Sequence, residues 1–279
     1  MIKRTAYLGP KLSFCEQAAK LHTGQEQGEM LECSTIAGVF AAVEEGKAWQ
    51  GIVPIENSCE GSVNETLDLL AYDSGLAITG EIIMPVKHHV MVREGLRTEE
   101  VTHILSHPQA LAQCRKNLRH HFPGVRLREL PSTAEAARMV ALSDKPWAAL
   151  ASAGAAAAYG LSVIIPDMHD YPNNETRFVA ISREANAYVP ESKTSLLIHT
   201  RNVPGALYEC LHEFALREIN LNKIESRPAR TRIGEYMFFI DIEGHKDDVT
   251  VQSAVAALLQ SAAALRILGS YPAARFAGV

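Results

Sequence analysis

The chain has 279 residues, 47% hydrophobic and 21% charged, with a formal net charge of −5. That length accommodates more than one buried core, and the mild acidity supplies no electrostatic footprint for nucleic acid. No apolar run is long enough to span a membrane.

Residues 2–8 alternate as a first strand, with no apolar signal core before them, and Gly9-Pro10 ends it. Ser13 with Glu16 three residues on has capping-box spacing and predicts a helix. A strand aimed at a helix start through a glycine suits an anion, although the same residues also read as a plain turn. Residues 29–33 form a short strand, and Thr35 caps a helix burying Val39, Phe40 and Val43. Residues 51–55 form a strand that ends in a polar run from Glu56 to Asn64, with Ser62 capping a helix that carries Leu67, Leu69 and Leu70. Polar clusters at the carboxyl ends of strands are where open α/β sheets bind ligands.

Residues 78–92, rich in β-branched side chains, predict two strands of a second lobe. The strand at 101–105 delivers Ser106, His107, Pro108 and Gln109 to a helix in which Gln109 and Gln113 share one face. A strand at 126–130, a helix capped by Ser132 or Thr133, a strand at 147–151, an Ala-rich helix at 152–159 and a buried strand at 161–165 follow. The adjacent pairs His88-His89 and His120-His121 point apart and read as surface or structural.

Residues 170–178 are a polar knot between apolar runs. Pro172, Asn173 and Asn174 supply turn chemistry. Thr176 and Arg177 sit where loop becomes strand, and offer a hydroxyl and a planar fork suited to a carboxylate. The alternative is a turn whose arginine pairs with a surface acid.

Strand–helix alternation implies an α/β domain of two lobes with a cleft between them over residues 1–185. Residues 186–192 read as a linker. Residues 193–279 follow a ferredoxin-like βαββαβ order, with Gly205 permitting close approach at the first helix start. No dinucleotide fingerprint, phosphate loop or His-Glu-x-x-His occurs, so no cofactor, nucleotide or metal is expected. Cys15, Cys33, Cys59, Cys114 and Cys210 are odd in number and widely spaced, which fits reduced thiols in a cytoplasm.

Taken in order, Gly9-Pro10 with Ser13-Phe14, residues 53–58 with 60–63, residues 106–111 with Gln113-Cys114, and Thr176-Arg177-Phe178 resemble the prephenate dehydratase family. Gly205-Ala206-Leu207 and Glu225-Ser226-Arg227-Pro228 resemble the phenylalanine-binding motifs of its C-terminal ACT domain. The resemblance implies a two-lobed, periplasmic-binding-protein-like catalytic domain plus an ACT domain. It also implies the type without a chorismate mutase segment, prephenate as substrate and L-phenylalanine as effector. The expected assembly is a homodimer or homotetramer through the ACT domains. Thr176 would act on the leaving hydroxyl, and Arg177 would hold a carboxylate or brace the loop. Asn57, Ser106 and Gln113 would serve substrate binding or turnover, with Glu56 behind them and Phe178 packing the Thr-Arg pair. The family usually places glycine and threonine where Leu12-Ser13 stands, and serine at Cys15. Leu12 adopts a left-handed turn only at a cost, so a differently shaped first loop is expected and Ser13 stays outside the catalytic set. Arogenate dehydratase and a non-catalytic amino-acid sensor are the rival readings.

Overall fold

The computed structural model describes residues 3–24, 28–232 and 234–274. Ile2, expected in the first strand, and residues 275–279 lie outside them. The first lobe contains β1 (Arg4–Leu8), α1 (Phe14–Thr23), β2 (Glu29–Cys33), α2 (Ile36–Glu44), β3 (Gln50–Asn57), β4 (Gly61–Ser62), α3 (Asn64–Asp68) and β5 (Ala77–Pro85). The second lobe contains β6 (His89–Val92), β7 (His103–Ser106), α4 (Pro108–Gln113), α5 (Arg115–His121), β8 (Arg126–Glu129), α6 (Thr133–Ala141), β9 (Trp147–Ala151), α7 (Ala153–Tyr159) and β10 (Ser162–Ile165). The chain then returns to the first lobe as β11 (Glu175–Ser182).

The first sheet runs β2-β1-β3-β11-β5, with β4 on β3, and the second runs β10-β6-β9-β7-β8. Strand β11 is antiparallel to both neighbours, so the returning segment sits in the middle of the first sheet. Two expectations change here. Residues 78–92 supply one strand to each lobe, because β5 pairs with β11 while β6 pairs with β9. Strand β10 is a half-exposed edge strand, paired antiparallel to β6 alone.

Two segments cross between the lobes and lie side by side. The Val86 amide donates to the Asn174 carbonyl and the Met168 amide to the His88 carbonyl, each at 2.8 Å. Helices α1, α2 and α6 start on side-chain caps: Ser13 accepts from the Glu16 amide, Thr35 from Gly38, and Ser132 from Glu135. Helix α3 starts at Asn64 after Val63, because Ser62 is held in β4 against Glu56.

The C-terminal unit contains β12 (Ser192–His199), α8 (Ala206–Ala215), β13 (Leu221–Pro228), β14 (Tyr236–Glu243), α9 (Val249–Ser261) and β15 (Ala264–Pro272). Its antiparallel sheet, ordered β13-β14-β12-β15, is the βαββαβ arrangement. Phe214, Ile240 and Leu258 pack on the helix side of that sheet. Met237, Phe239, Leu268 and Tyr271, on its other side, join the first-lobe core around Val53, Ile55 and Val179. The approach is close enough that a Cβ on Gly269 would fall 2.0 Å from the Ile78 carbonyl oxygen. The two units therefore share one apolar core. Among the described residues, no helix is long and apolar enough to cross a membrane.

Candidate active site

A cavity of about 410 Å³ lies between the lobes, with Asn57, Gln113, Thr176, Phe178, His88 and Phe14 in its walls. Thr176 is directly opposite Asn57 in the β11–β3 ladder. The Asn57 amide nitrogen donates to Thr176 Oγ1 at 2.9 Å and to Asn174 Oδ1 at 2.8 Å. Its own Oδ1 accepts from the Cys59 and Glu60 amides, which fixes the amide plane. Asn174 passes the chain on to Gln113 Oε1 at 2.9 Å, and Gln113 Nε2 donates to Glu60 Oε1 at 2.8 Å. Gln113 belongs to the second lobe, so this network bridges the cleft. Gln17 on α1 adds a second bridge, to Ser152 Oγ at 3.3 Å.

A bulge sets which side chains face the cavity. Phe178 pairs with Pro54 but Arg177 pairs with Glu56, leaving Ile55 as the extra residue. Ile55 and Glu56 therefore both turn toward the back of the sheet, and Asn57 is re-aimed into the cleft. Along β11, Thr176 and Phe178 line the cavity while Val179 and Ile181 enter the rear core.

Three of the residues named from the sequence do not face the cavity, of which Glu56 was already expected behind the others. Arg177, 6% exposed, points to the back of β11 because strand side chains alternate. There it meets Asp241 Oδ2 at 2.5 Å, Tyr271 Oη at 2.8 Å and Glu81 Oε2 at 2.8 Å. Burial by itself weakens the hold of Arg177 on its proton, but Tyr271, Asp241 and Glu81 outweigh it and raise its pKa. Its fork braces the strand and leaves no edge for a substrate carboxylate. Glu56 lies on the same back face, against Arg177 and Lys223. Ser106 is fully buried, and its hydroxyl donates to the Leu150 carbonyl at 2.6 Å, tying β7 to β9.

Other cavity residues stood in the sequence only as helix caps or starts, Ser13 among them with an anion site weighed. Among the described residues no lysine or arginine lines the cavity, yet Ser13, His107, Ser132 and Thr133 do. These mark the N-terminal ends of α1, α4 and α6; the free first-turn amides and dipoles of α1 and α6 favour anions, whereas α4 opens on Pro108 and its Gln109 amide is taken by His107. Leu12 does adopt the left-handed turn, at φ 66. Its amide donates to Glu16 Oε2 at 2.5 Å, which offsets a backbone cost of about 1–2 kcal/mol. His88, expected at the surface or in a structural role, is buried in the cavity wall against the Phe14 ring. Burial first, then His169 and His89, lower its pKa to about 4, so it is neutral near pH 7. Burial pushes the Cys15 thiol up to about 12, which keeps it protonated and poorly nucleophilic.

A second cavity of about 300 Å³ opens in the C-terminal unit at the start of α8, lined by Gly205, Ala206, Leu207, Asn202 and Tyr236. Gly205 has φ 85, and a Cβ there would meet nothing within 4 Å. Glu225, Ser226, Arg227 and Pro228 lie on β13, outside this cavity. Arg227 faces α3, where it donates to Asn64 Oδ1 and Asp68 Oδ1, each at 2.7 Å.

The fold and cavity define a two-lobed α/β protein with a ligand cleft at its strand ends, carrying a βαββαβ domain packed on the back of the first lobe. The family model for prephenate dehydratase matches residues 5–186, and that for the ACT domain matches residues 194–260. The chain belongs to the prephenate dehydratase family. It is 41% identical over 271 residues to a bifunctional chorismate mutase/prephenate dehydratase of Aquifex aeolicus, covering 97% of this chain and 74% of that protein. It is 37% identical over 276 residues to a prephenate dehydratase of Lactococcus lactis, covering 96% and 97%. The crystal structure of a prephenate dehydratase from Arthrobacter aurescens in complex with L-Phe matches with a TM-score of 0.88 at 35% identity, over 99% of this chain and 92% of that one.

Proposed function

We propose that the interlobe cavity converts prephenate to phenylpyruvate and that L-phenylalanine regulates this through the C-terminal domain. The reaction breaks the bond from the ring to its carboxylate. That electron pair enters the ring and expels the ring hydroxyl, which takes up a proton and leaves as water beside carbon dioxide. Aromatisation drives it, so the protein's tasks are to orient the substrate and protonate a poor leaving group.

The observation that carries the assignment is the Thr176–Asn57 bond. Thr176 Oγ1 accepts from Asn57, and among the described residues its hydroxyl hydrogen has no protein acceptor. That hydrogen is free to meet the leaving oxygen, and the Asn57 donor stabilises negative charge growing on Oγ1. With Arg177 turned away, the substrate carboxylates fall to the amides at the starts of α1 and α6. Such neutral donors hold a carboxylate in place and still allow it to depart as carbon dioxide. Gln113 closes the cavity from the second lobe, and Phe178 packs below Thr176.

For L-phenylalanine, the open start of α8 at Gly205 suits its carboxylate. Val203, Tyr208 and Tyr236, exposed around that cavity, and the edge strand β13 suggest that a second copy covers it, with Ser226 on the far wall, while Glu225 shares the inward face of β13 with Lys223 and Arg227. A dimer or tetramer through this domain is part of the proposal. So is a cytoplasmic location, supported by five unbonded cysteines.

The test is phenylpyruvate formation from prephenate by the purified chain beside Thr176→Ala. Turnover in the wild type with a loss of about 10²–10⁴ in the variant is expected. A folded wild type that forms no product from prephenate overturns the assignment, and product from arogenate alone moves it to that substrate.

A further inference from the structure

Asn57 and Thr176 are held from behind by the other domain. Their chain neighbours Glu56 and Arg177, paired with each other in the ladder, present their charges to the C-terminal sheet. Lys223 Nζ on β13 contacts the Glu56 carboxylate and donates to Ser62 Oγ at 3.1 Å. Arg177 reaches Asp241 on β14 and Tyr271 on β15. Asp241 is itself oriented by Ser195 Oγ at 2.5 Å. Lys193 on β12 completes the set, 2.8 Å from Glu81. Arg177, Lys193 and Lys223 thus balance Glu56, Glu81 and Asp241 between the two sheets.

Buried ion pairs of this kind add little net stability over apolar packing, while removing one partner is costly. What they specify here is orientation. Regular alternation from Pro54 would place Glu56 in the cleft and turn Asn57 away, and the bulge at Ile55 reverses that phase. The tie between Glu56 and Lys223 holds the reversed phase.

We propose that Lys223 and Asp241, both in the C-terminal sheet, are positioning residues for the dehydration step. Acting through Glu56 and Arg177, they keep Asn57 and Thr176 at hydrogen-bond distance. The inference rests on the dehydratase reading of the cleft and extends it, since the regulatory sheet becomes the back wall of the active site. Strand β13 carries Lys223 and Arg227 inward and Ser226 outward, so a shift of that strand reaches Thr176 through two side chains.

The experiment uses full-length Lys223→Met, Lys223→Arg and Asp241→Asn, the double variant Glu56→Gln/Lys223→Met and both of its single variants. It reads kcat and KM for prephenate, and amide hydrogen exchange at residues 56–58 and 175–177 without substrate. In Lys223→Met and Asp241→Asn, kcat falls about tenfold or more while KM stays within about threefold. Exchange at the two segments quickens. Lys223→Arg keeps wild-type kcat, and the double variant is no slower than its slower parent. Unchanged kcat and exchange in folded variants, or additive losses in the double variant, overturn the inference. If Asp241→Asn does not fold, the Lys223 series decides alone, at a side chain that keeps some solvent contact. Because exchange needs no substrate, it judges the positioning even if prephenate is not turned over, an outcome that would count against the dehydratase reading instead.

Discussion

Thr176 and Arg177 are consecutive on β11 and serve opposite faces of it. The Thr176 hydroxyl accepts from Asn57 in the cleft, and the Arg177 guanidinium lies between Asp241 and Tyr271 of the C-terminal sheet. The Thr176 hydroxyl in the cleft and the interdomain joint are therefore one peptide unit apart. A rigid strand converts the fixation of one into the placement of the other.

Arg177→Met separates bracing from substrate binding. The variant leaves Asp241 buried without its cation, a loss of about 3–5 kcal/mol of folding stability. Urea unfolding is expected to show a lower midpoint. An arginine that held a substrate carboxylate would instead raise KM with the midpoint unmoved.

Asn57→Leu tests the donor behind Thr176. It removes the bond to Oγ1 and the acceptor for the Cys59 and Glu60 amides. Loss of one oriented donor at a reacting centre costs about 10²–10³ in kcat. Asn57→Asp keeps the shape but removes the N–H, and is expected to be as slow. Steady-state assay of phenylpyruvate reads both, and a kcat within a few-fold of wild type would remove Asn57 from the mechanism.

His88 predicts an acid-sensitive fold. Its pKa falls from 6.5 to about 4 in the folded chain, from burial and then from His169 and His89, with Gln113 opposing and His107 adding slightly. Above pH 6.5 both the folded and unfolded forms are neutral, and this stability is fully present. As pH drops from 6.5 to 4 the unfolded chain gains a proton that the folded chain refuses, and about 3 kcal/mol is lost. His88→Gln should flatten the stability profile over that window. Denaturation at pH 7, 5.5 and 4 checks it, and identical slopes in the two proteins would refute the assignment.

Much of the architecture was legible because it is written locally. The caps Ser13, Thr35 and Ser132, the strand–helix rhythm and the βαββαβ order depend on neighbours in sequence. Thr176, Asn57 and Gln113 stood out as polar groups at strand ends or on a helix face beside them. The destinations of Arg177 and Glu56 did not, because their partners come from β5, β13, β14 and β15. No local pattern announces that network. The bulge at Ile55 left only a weak local trace, Pro54 inside the strand and the consecutive polar pair Glu56-Asn57. Ser106 misled because a serine at a strand end reads as a ligand contact until the neighbouring strand is known to offer the Leu150 carbonyl. His88 was hidden by the crossover, which turns an exposed-looking pair so that one ring enters the cavity wall.

Gly205 makes the last prediction, on the effector. It holds φ 85 at the start of α8 with open space where a side chain would stand. That space is the cavity lined by Ala206, Leu207 and Asn202. A tryptophan there fills the cavity and also strains the turn by about 1–2 kcal/mol. Gly205→Trp is therefore expected to weaken L-phenylalanine binding at least about tenfold, or about 1.4 kcal/mol, as read by calorimetry. By linkage, an effector that shifts substrate affinity is shifted by substrate in return, so the variant also loses the effect of L-phenylalanine on prephenate saturation. If the folded variant binds and responds as the wild type does, the effector sits elsewhere and the α8 cavity must be given up as its site.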